Sequence, residues 1–587
     1  MKVRPGGLQQ LGIAFAVAAS LALTGCAGVG TEPTGTATGP VGASGEAARP
    51  STSPTESPGT SGATAIDALP TQAELDRARQ DADQLDTRRL AAQLVVPRRE
   101  NDPAVAARLT QEVGFGGAVL FAEHVPASRD AVVSTVTRAN EQISQAVTAD
   151  RPWPAFIGVD QEGGPIARLG APLTQFPSAM ALGATGDAAL ARKVGAASGS
   201  ELAALGFTVV LAPDADVTSG PDDPTIGVRS PGSDAALVGR IAVGYAQGYA
   251  DAGLLSAGKH FPGHGSVAGD THVGGVRQKA GLDALMARDL LPFSDLITAG
   301  APALMTAHIV LDSVDSKVPA TLSRPVLTGL LREKLGFRGL VVTDALEMGA
   351  VTEGAGPGEA AVQAVEAGAD VLLMPSDPRA AAVALTQAVD SGRLSRDRLL
   401  DSAARMIASL RHSADRATVA PVTPGQSASG GQGPHAEVAA EVAKASITQV
   451  SGACGERLIA DGMVVSGGTE TDRTLLRAAA REAGVALDQG TRVVLVSGAA
   501  YRAAENAAGA ATEQRSRAGA SGSDVTIALD VPYPLSRAPG VTLATFGRTP
   551  ATFTALVDVL TGKHPAQGAL PVTVGSKPVG SGCAPAR

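Results

Sequence analysis

A chain of 587 residues is too long for one ordinary hydrophobic core, so two folded domains with tails are expected. A formal charge of −9 and an aromatic content of 3% supply neither the basic face nor the stacking platforms that a nucleic-acid partner would use. The 44% apolar content is ample for globular cores.

In chain order, Lys2 and Arg4 precede an apolar run over residues 11–23, too short to span a membrane comfortably as a mature helix. It ends in Leu23-Thr24-Gly25-Cys26, which resembles a bacterial lipobox. That resemblance implies a signal peptide at 1–25, lipidation of Cys26, and anchoring to the outer face of the cell membrane. The alternative is an ordinary secretion signal with a chance cysteine. Residues 26–70 are mostly Gly, Ser, Thr, Pro and Ala, a composition that cannot bury enough surface to fold, and read as a disordered tether.

Across 71–412, strand and helix patterns alternate. Candidate strands lie at 92–96, 117–121, 156–160, 208–212, 255–260, 303–308, 340–344 and 370–374, short apolar runs of the kind buried on both faces of a parallel sheet. Helical patterns include 188–205, with Asp187 as N-cap, and 234–252, 357–368 and 394–411. Eight strands with intervening helices predict a (β/α)8 TIM-type barrel. Residues 413–434 read as a linker, and 435–587 as a smaller α/β sandwich-like domain with strands near 492–496, 525–529 and 541–546 and a helix at 550–560. Cys454 and Cys583 remain once Cys26 is assigned to the lipid. They are an even pair in an exported chain, and a disulfide is predicted, with two free thiols as the alternative.

Residues 259–272, KHFPGHGSVAGDTH, gather three histidines, a lysine, an aspartate and three glycines into one loop at a strand end. Asp270 and His272 stand two apart, close enough for the carboxylate to orient the imidazole for proton transfer near neutral pH. Asp160, Lys259, His260, His308 and Asp344 all fall at or just beyond carboxyl ends of strands, the rim where barrel active sites are built.

Read together, these segments resemble the family 3 glycoside hydrolases, and most closely their bacterial β-N-acetylglucosaminidase branch. The resemblance runs roughly over 93–377. It rests on DQEGG at 160–164 with Arg168-Leu169, IGVRS at 226–230, KHFPGHG at 259–265 with Asp270-Thr271-His272, MTAH at 305–308, PATLS at 319–323 and VTDALEM at 342–348. It implies that Asp344 is the nucleophile and that His272, partnered by Asp270, is the acid/base. It also implies that Asp160, Arg168, Arg229, Lys259 and His260 bind the terminal sugar. His264, His308 and Met348 are possible pocket residues, the two histidines equally able to hold the loop or fill the rim. Pro165 and the Ser230-Pro231-Gly232 stretch depart from the family pattern; the first predicts an altered local backbone, the second a missing aromatic near the pocket.

The implied activity is exo-hydrolysis of terminal β-linked N-acetylglucosamine from peptidoglycan-type fragments by retaining double displacement, with no metal and no organic cofactor. Three alternatives stand beside it. One is a β-glucoside specificity with an acid such as Glu456, Glu470 or Glu505 from the second domain. The others are a phosphorylase and a sugar-binding lipoprotein that has lost catalysis.

Overall fold

The apolar runs of the first half assemble as a ring of parallel strands. The computed structural model describes residues 65–124, 135–145, 152–418, 433–498 and 525–583, apart from positions 67, 139, 143, 272, 353 and 355. Cys26 and the signal peptide, most of the tether, most of the linker, Glu505 and His272 therefore lie outside the described residues.

The ring strands are β1 (Val95–Val96), β2 (Gly117–Leu120), β3 (Phe156–Val159), β4 (Val209–Val210), β5 (Leu255–Phe261), β6 (Ala303–Thr306), β7 (Leu340–Val342) and β8 (Leu372–Leu373). Strands β2 to β7 form one curled parallel sheet in chain order, and β1 pairs with β8. Single parallel bridges, Arg98 to Val119 and Val342 to Val371, join that pair to both edges of the sheet. The interior is filled by side chains such as Val96, Val119, Phe156, Val209, Leu255, Met305 and Val342, so the ring is a packed core with no open bore. The first strand is shorter than the expected 92–96. Ala92 belongs instead to the helix Thr87–Gln93, which Asp86 caps by accepting the Arg89 N–H.

Helices Ala188–Ala204 and Ala235–Asp251 pack closely on the outside. Asp187 caps the first through the amides of Ala189 and Leu190. The close approach depends on glycine: a Cβ on Gly248 would stand 2.1 Å from the Arg192 carbonyl oxygen.

A second sheet follows, with β9 (Thr448–Ser451), β10 (Met463–Gly467), β11 (Thr491–Val496), β12 (Val525–Ala528) and β13 (Val541–Ala544) in the order β9-β13-β12-β11-β10. Only β9 runs antiparallel to its neighbour. Two of its five strands, β9 and β10, were not expected from the sequence: β9 is short and mostly polar, and β10 ends in a serine and a glycine. The second sheet does not stand alone. Val531, Leu535, Phe546, Leu570 and Val572 share one hydrophobic cluster with Ile157, Met180 and Leu182 of the first half. Cys454 and Cys583 are bonded across a separation of 129 residues and hold the last turns of the chain against the second sheet.

Removing this cross-link by Cys454→Ser with Cys583→Ser should lower stability by about 2–5 kcal/mol, mainly by freeing the unfolded chain. The check is the denaturant midpoint under oxidising conditions, where the wild-type midpoint should fall to the variant's value on reduction.

Candidate active site

Buried charges can be tolerated only if each is answered, and at the carboxyl-terminal rim of the ring they are answered by one another. Lys259, on β5, is buried, and its Nζ lies 2.7 Å from Asp160 Oδ1 and 2.7 Å from Glu162 Oε1. Glu162 also receives the Arg229 fork, Nε at 2.9 Å and Nη2 at 2.8 Å. Burial alone would raise the Glu162 carboxyl, but the Arg229 and Lys259 charges outweigh it and hold it well below the usual carboxylate range.

His260 continues the chain of contacts. Its Nδ1 is 2.6 Å from Asp216 Oδ2, and its Nε2 is 3.2 Å from Arg229 Nη2. Burial and then the Arg229 charge push its pKa down to about 4, so the ring is neutral at physiological pH. With Nδ1–H donated to Asp216, the Nε2 lone pair faces the Arg229 N–H. Asp216 is further occupied by the amides of His264 at 2.5 Å and His260 at 3.3 Å.

The DQEGG segment is held in register by its own hairpin. Gln161–Gly163 pairs antiparallel with Ile166–Ala167, and the Gln161 side chain bonds both the N–H and the carbonyl of Leu169. Gly163 and Gly164 sit at φ 89° and 56°, and a Cβ at Gly164 would stand 2.7 Å from that of Ser178. Pro165 occupies the turn, while the Arg168 N–H still reaches the Asp160 carbonyl at 3.3 Å. The Tyr245 and Tyr249 hydroxyls, on the packed outer helix, donate to the carbonyls of Glu162 and Gln161, each at 3.0 Å. The Arg168 guanidinium lies 5.3 Å from the centre of the Phe121 ring at the end of β2. The Pro231 carbonyl faces Gly183, and Gly232 rests on Pro571 of the C-terminal stretch.

Asp344 follows β7 and takes the Ala345 N–H on Oδ1 at 2.7 Å. His308 is fully buried behind it, with Nε2 donating to the Ala345 carbonyl at 2.9 Å and Nδ1 2.8 Å from Thr321 Oγ1. It therefore braces the backbone after Asp344 from behind. Met348 is buried beside this turn. His264 holds the long loop, its Nε2 3.2 Å from Thr271 Oγ1, and burial lowers its pKa to about 4. Thr225 Oγ1 bonds the Gly269 carbonyl, the Val273 and Gly274 amides close a turn on the Asp270 carbonyl, and the Ala350 N–H reaches the Thr271 carbonyl at 3.3 Å. Asp270 and Asp344 are thus carried on segments tied to each other. His272 lies between described neighbours and is itself outside the described residues.

Asp214, Asp216 and His260 offer donor atoms within 4.8 Å of one another, a spacing at which an ion could be held. Asp216 is engaged by three N–H groups, while Asp214 accepts the Asp216 amide on Oδ1 and turns Oδ2 toward the Arg229 guanidinium, whose charge would repel a cation there. We read the cluster as part of the ion-pair network. Of the alternative acids in the second half, Glu470 is exposed and paired with Arg473, and Glu456 is exposed.

Sequence reasoning left Glu162, Asp214 and Asp216 without a role. Glu162 was findable by the rule already in use, as an acid just past the carboxyl end of a strand; Asp214 and Asp216 also follow a strand, but nothing in their local sequence marks them as buried.

Residues 86–409 match the model of the glycosyl hydrolase family 3 N terminal domain. The chain is 36% identical to β-hexosaminidase A of Pseudoalteromonas piscicida over 374 residues, 59% of this chain and 61% of that protein. It is 38% identical to β-hexosaminidase LpqI of Mycobacterium tuberculosis over 261 residues, 43% of this chain and 67% of the other. Among solved structures, a family 3 β-N-acetylglucosaminidase from Paenibacillus sp. superposes with a TM-score of 0.73 at 30% identity, covering 84% of this chain and 99% of that one. This chain belongs to glycosyl hydrolase family 3.

Proposed function

We propose that the protein is an exo-acting β-N-acetylglucosaminidase that removes terminal N-acetylglucosamine from cell-wall fragments by a retaining double displacement. The observation that carries this reading is the hydrogen bond from the Ala350 amide to the Thr271 carbonyl. It ties the loop bearing Asp270 and His272 to the turn that begins at Asp344. In this mechanism Asp344 attacks the anomeric carbon while the His272 imidazolium protonates the leaving oxygen. The neutral imidazole then activates the water that cleaves the glycosyl ester, and Asp270 fixes its tautomer. Asp160, Lys259, Arg229 and His260 form the wall that receives the sugar hydroxyls, and Arg168 stands at its edge. Both the β-hexosaminidase relatives and the superposed Paenibacillus enzyme support the acetamido sugar.

A second observation supports an acidic aglycone. Arg99, three residues past β1, is buried, and among the described residues no carboxylate pairs with it. Burial pulls its pKa down, and its Nε–H has no acceptor. Beside it, His124 accepts the Phe121 amide on Nδ1 at 2.8 Å, which leaves a buried Nε2–H also without an acceptor. Two unanswered donors on the active-site rim suit the carboxylate of a muramic acid residue. Location at the outer face of the cell membrane, through a lipid on Cys26, would bring the enzyme to such fragments, and the Cys454–Cys583 bond suits an oxidising compartment.

Asp344→Asn should reduce turnover of an aryl β-N-acetylglucosaminide by about 10³-fold or more without changing the thermal midpoint greatly. An equal preference of the wild type for the aryl β-glucoside would reject the acetamido specificity. Arg99→Ala should lower kcat/KM on an N-acetylglucosaminyl–muramic acid disaccharide by roughly 10- to 100-fold. The same variant should stay within about twofold of wild type on the aryl glycoside, which has no carboxylate. Equal losses on both substrates would remove the acidic subsite.

A further inference from the structure

Asp214 is a fully buried carboxyl that the mechanism above does not use. Its Oδ1 accepts the Asp216 amide at 2.9 Å. Its Oδ2 is buried without a hydrogen-bond partner, 3.7 Å from Arg229 Nη2 and 3.8 Å from His260 Nδ1. Asp216, two residues on, is equally buried, and the two carboxyls stand within 4.8 Å of each other. Two carboxylates this close and this dry cannot both ionise cheaply.

The contacts decide which one holds the proton. Burial raises the Asp216 carboxyl to about 7, but it receives the His260 Nδ1–H and the amides of His260 and His264, donors that favour a carboxylate and make it the easier of the two to ionise. Asp214 has one amide and an empty oxygen. Every cation within reach is engaged elsewhere: Arg229 is committed to Glu162 by both arms of its fork, and Lys259 to Asp160 and Glu162. The imidazoles of His260 and His264 are neutral, and Asp223 and Asp344 add only negative charge to the surroundings.

We propose that Asp214 is a positioning residue that keeps its proton at neutral pH, so that the Arg229 guanidinium stays on Glu162 and the sugar-binding wall keeps its shape. Ionisation at higher pH would give Arg229 a second carboxylate to turn to, pulling it off Glu162 and weakening sugar binding. The direction of titration agrees, since burial first and then the Asp216 charge push the Asp214 carboxyl well above its usual range. This inference rests on the glycosidase reading only for its effect on activity. The protonation itself is a property of the fold.

The experiment compares wild type, Asp214→Asn and Asp214→Ala. The substrate is 2,4-dinitrophenyl β-N-acetylglucosaminide, whose leaving group needs no acid, so that deprotonation of His272 does not shape the alkaline limb. Asparagine copies the neutral acid, so Asp214→Asn should stay within about threefold of wild type at neutral pH and hold its kcat/KM at least roughly one pH unit further into alkali. Asp214→Ala should lose roughly tenfold or more, chiefly in KM. A second readout needs no turnover. An unfolded Asp214 ionises near 3.9 while the folded one keeps its proton, so between these values folding takes up a proton. Wild-type stability should therefore fall relative to Asp214→Asn as pH rises from about 4, levelling off only above the folded pKa. Parallel thermal midpoints for the two proteins across pH 4–9 would overturn the proposal, as would an asparagine variant as impaired as the alanine one. A wild type that turns over no β-N-acetylglucosaminide would instead sink the functional reading and leave the stability comparison to judge Asp214.

Discussion

The structure depends on two cations placed where water cannot reach them. Lys259 and Arg229 are buried at the rim of the ring, and each must be answered by carboxylates that are buried too. Desolvating such groups costs several kcal/mol per ion, and their mutual attraction repays this only with good geometry and further hydrogen bonds. A pair of apolar side chains would hold the strands together at least as well. The cost is therefore best understood as the cost of holding donors at fixed positions before a ligand arrives, which is how a site avoids reorganising when it binds.

Much of the surrounding architecture serves that constraint. The hairpin after Asp160, the Gln161 amide on Leu169 and the stacked Tyr245 and Tyr249 all fix the backbone that carries Glu162. The second half of the chain contributes from outside. Pro571 accepts the Ser233 amide, and the Phe546 carbonyl takes both the amide and the hydroxyl of Ser178. Ser178 backs the glycine turn of the DQEGG hairpin, and Ser233 lies four residues past Arg229. Support thus passes from the second sheet to both walls of the site through single, named contacts.

The parts of this arrangement that were legible in the sequence share a physical reason. Ring strands bury both faces, so β3, β5, β6 and β7 stand out as short apolar runs, and the polar residues that end them mark the rim. Asp160, Lys259, His260 and Asp344 were found that way. The second sheet was harder: Met463–Gly467 has the alternating burial of a strand with one face near solvent, and its serine and glycine blur the pattern. His308 could not be assigned from sequence, because an imidazole at a strand end reads alike whether it faces a ligand or, as here, the backbone just after Asp344. Asp214 and Asp216 were hidden for another reason. In Ala212-Pro213-Asp214-Ala215-Asp216 nothing local distinguishes two solvated acids from two fully buried ones; only the neighbouring strands decide it.

The site divides into a wall and a loop with opposite physical characters. The wall is dry, charged and cross-braced, with Lys259, Glu162, Arg229 and His260 each holding at least two partners. The loop from 266 to 275 carries three glycines and an exposed Val273, and Thr225, His264 and Ala350 are among the residues that hold it. A group that only recognises a sugar gains from rigidity, since every fixed donor is ordering entropy already spent. In the proposed mechanism the loop has to serve two partners in turn, the leaving oxygen and then a water, a demand that fixed donors do not face. Placing Asp270 on the loop and Asp344 on the frame separates these demands within a single rim.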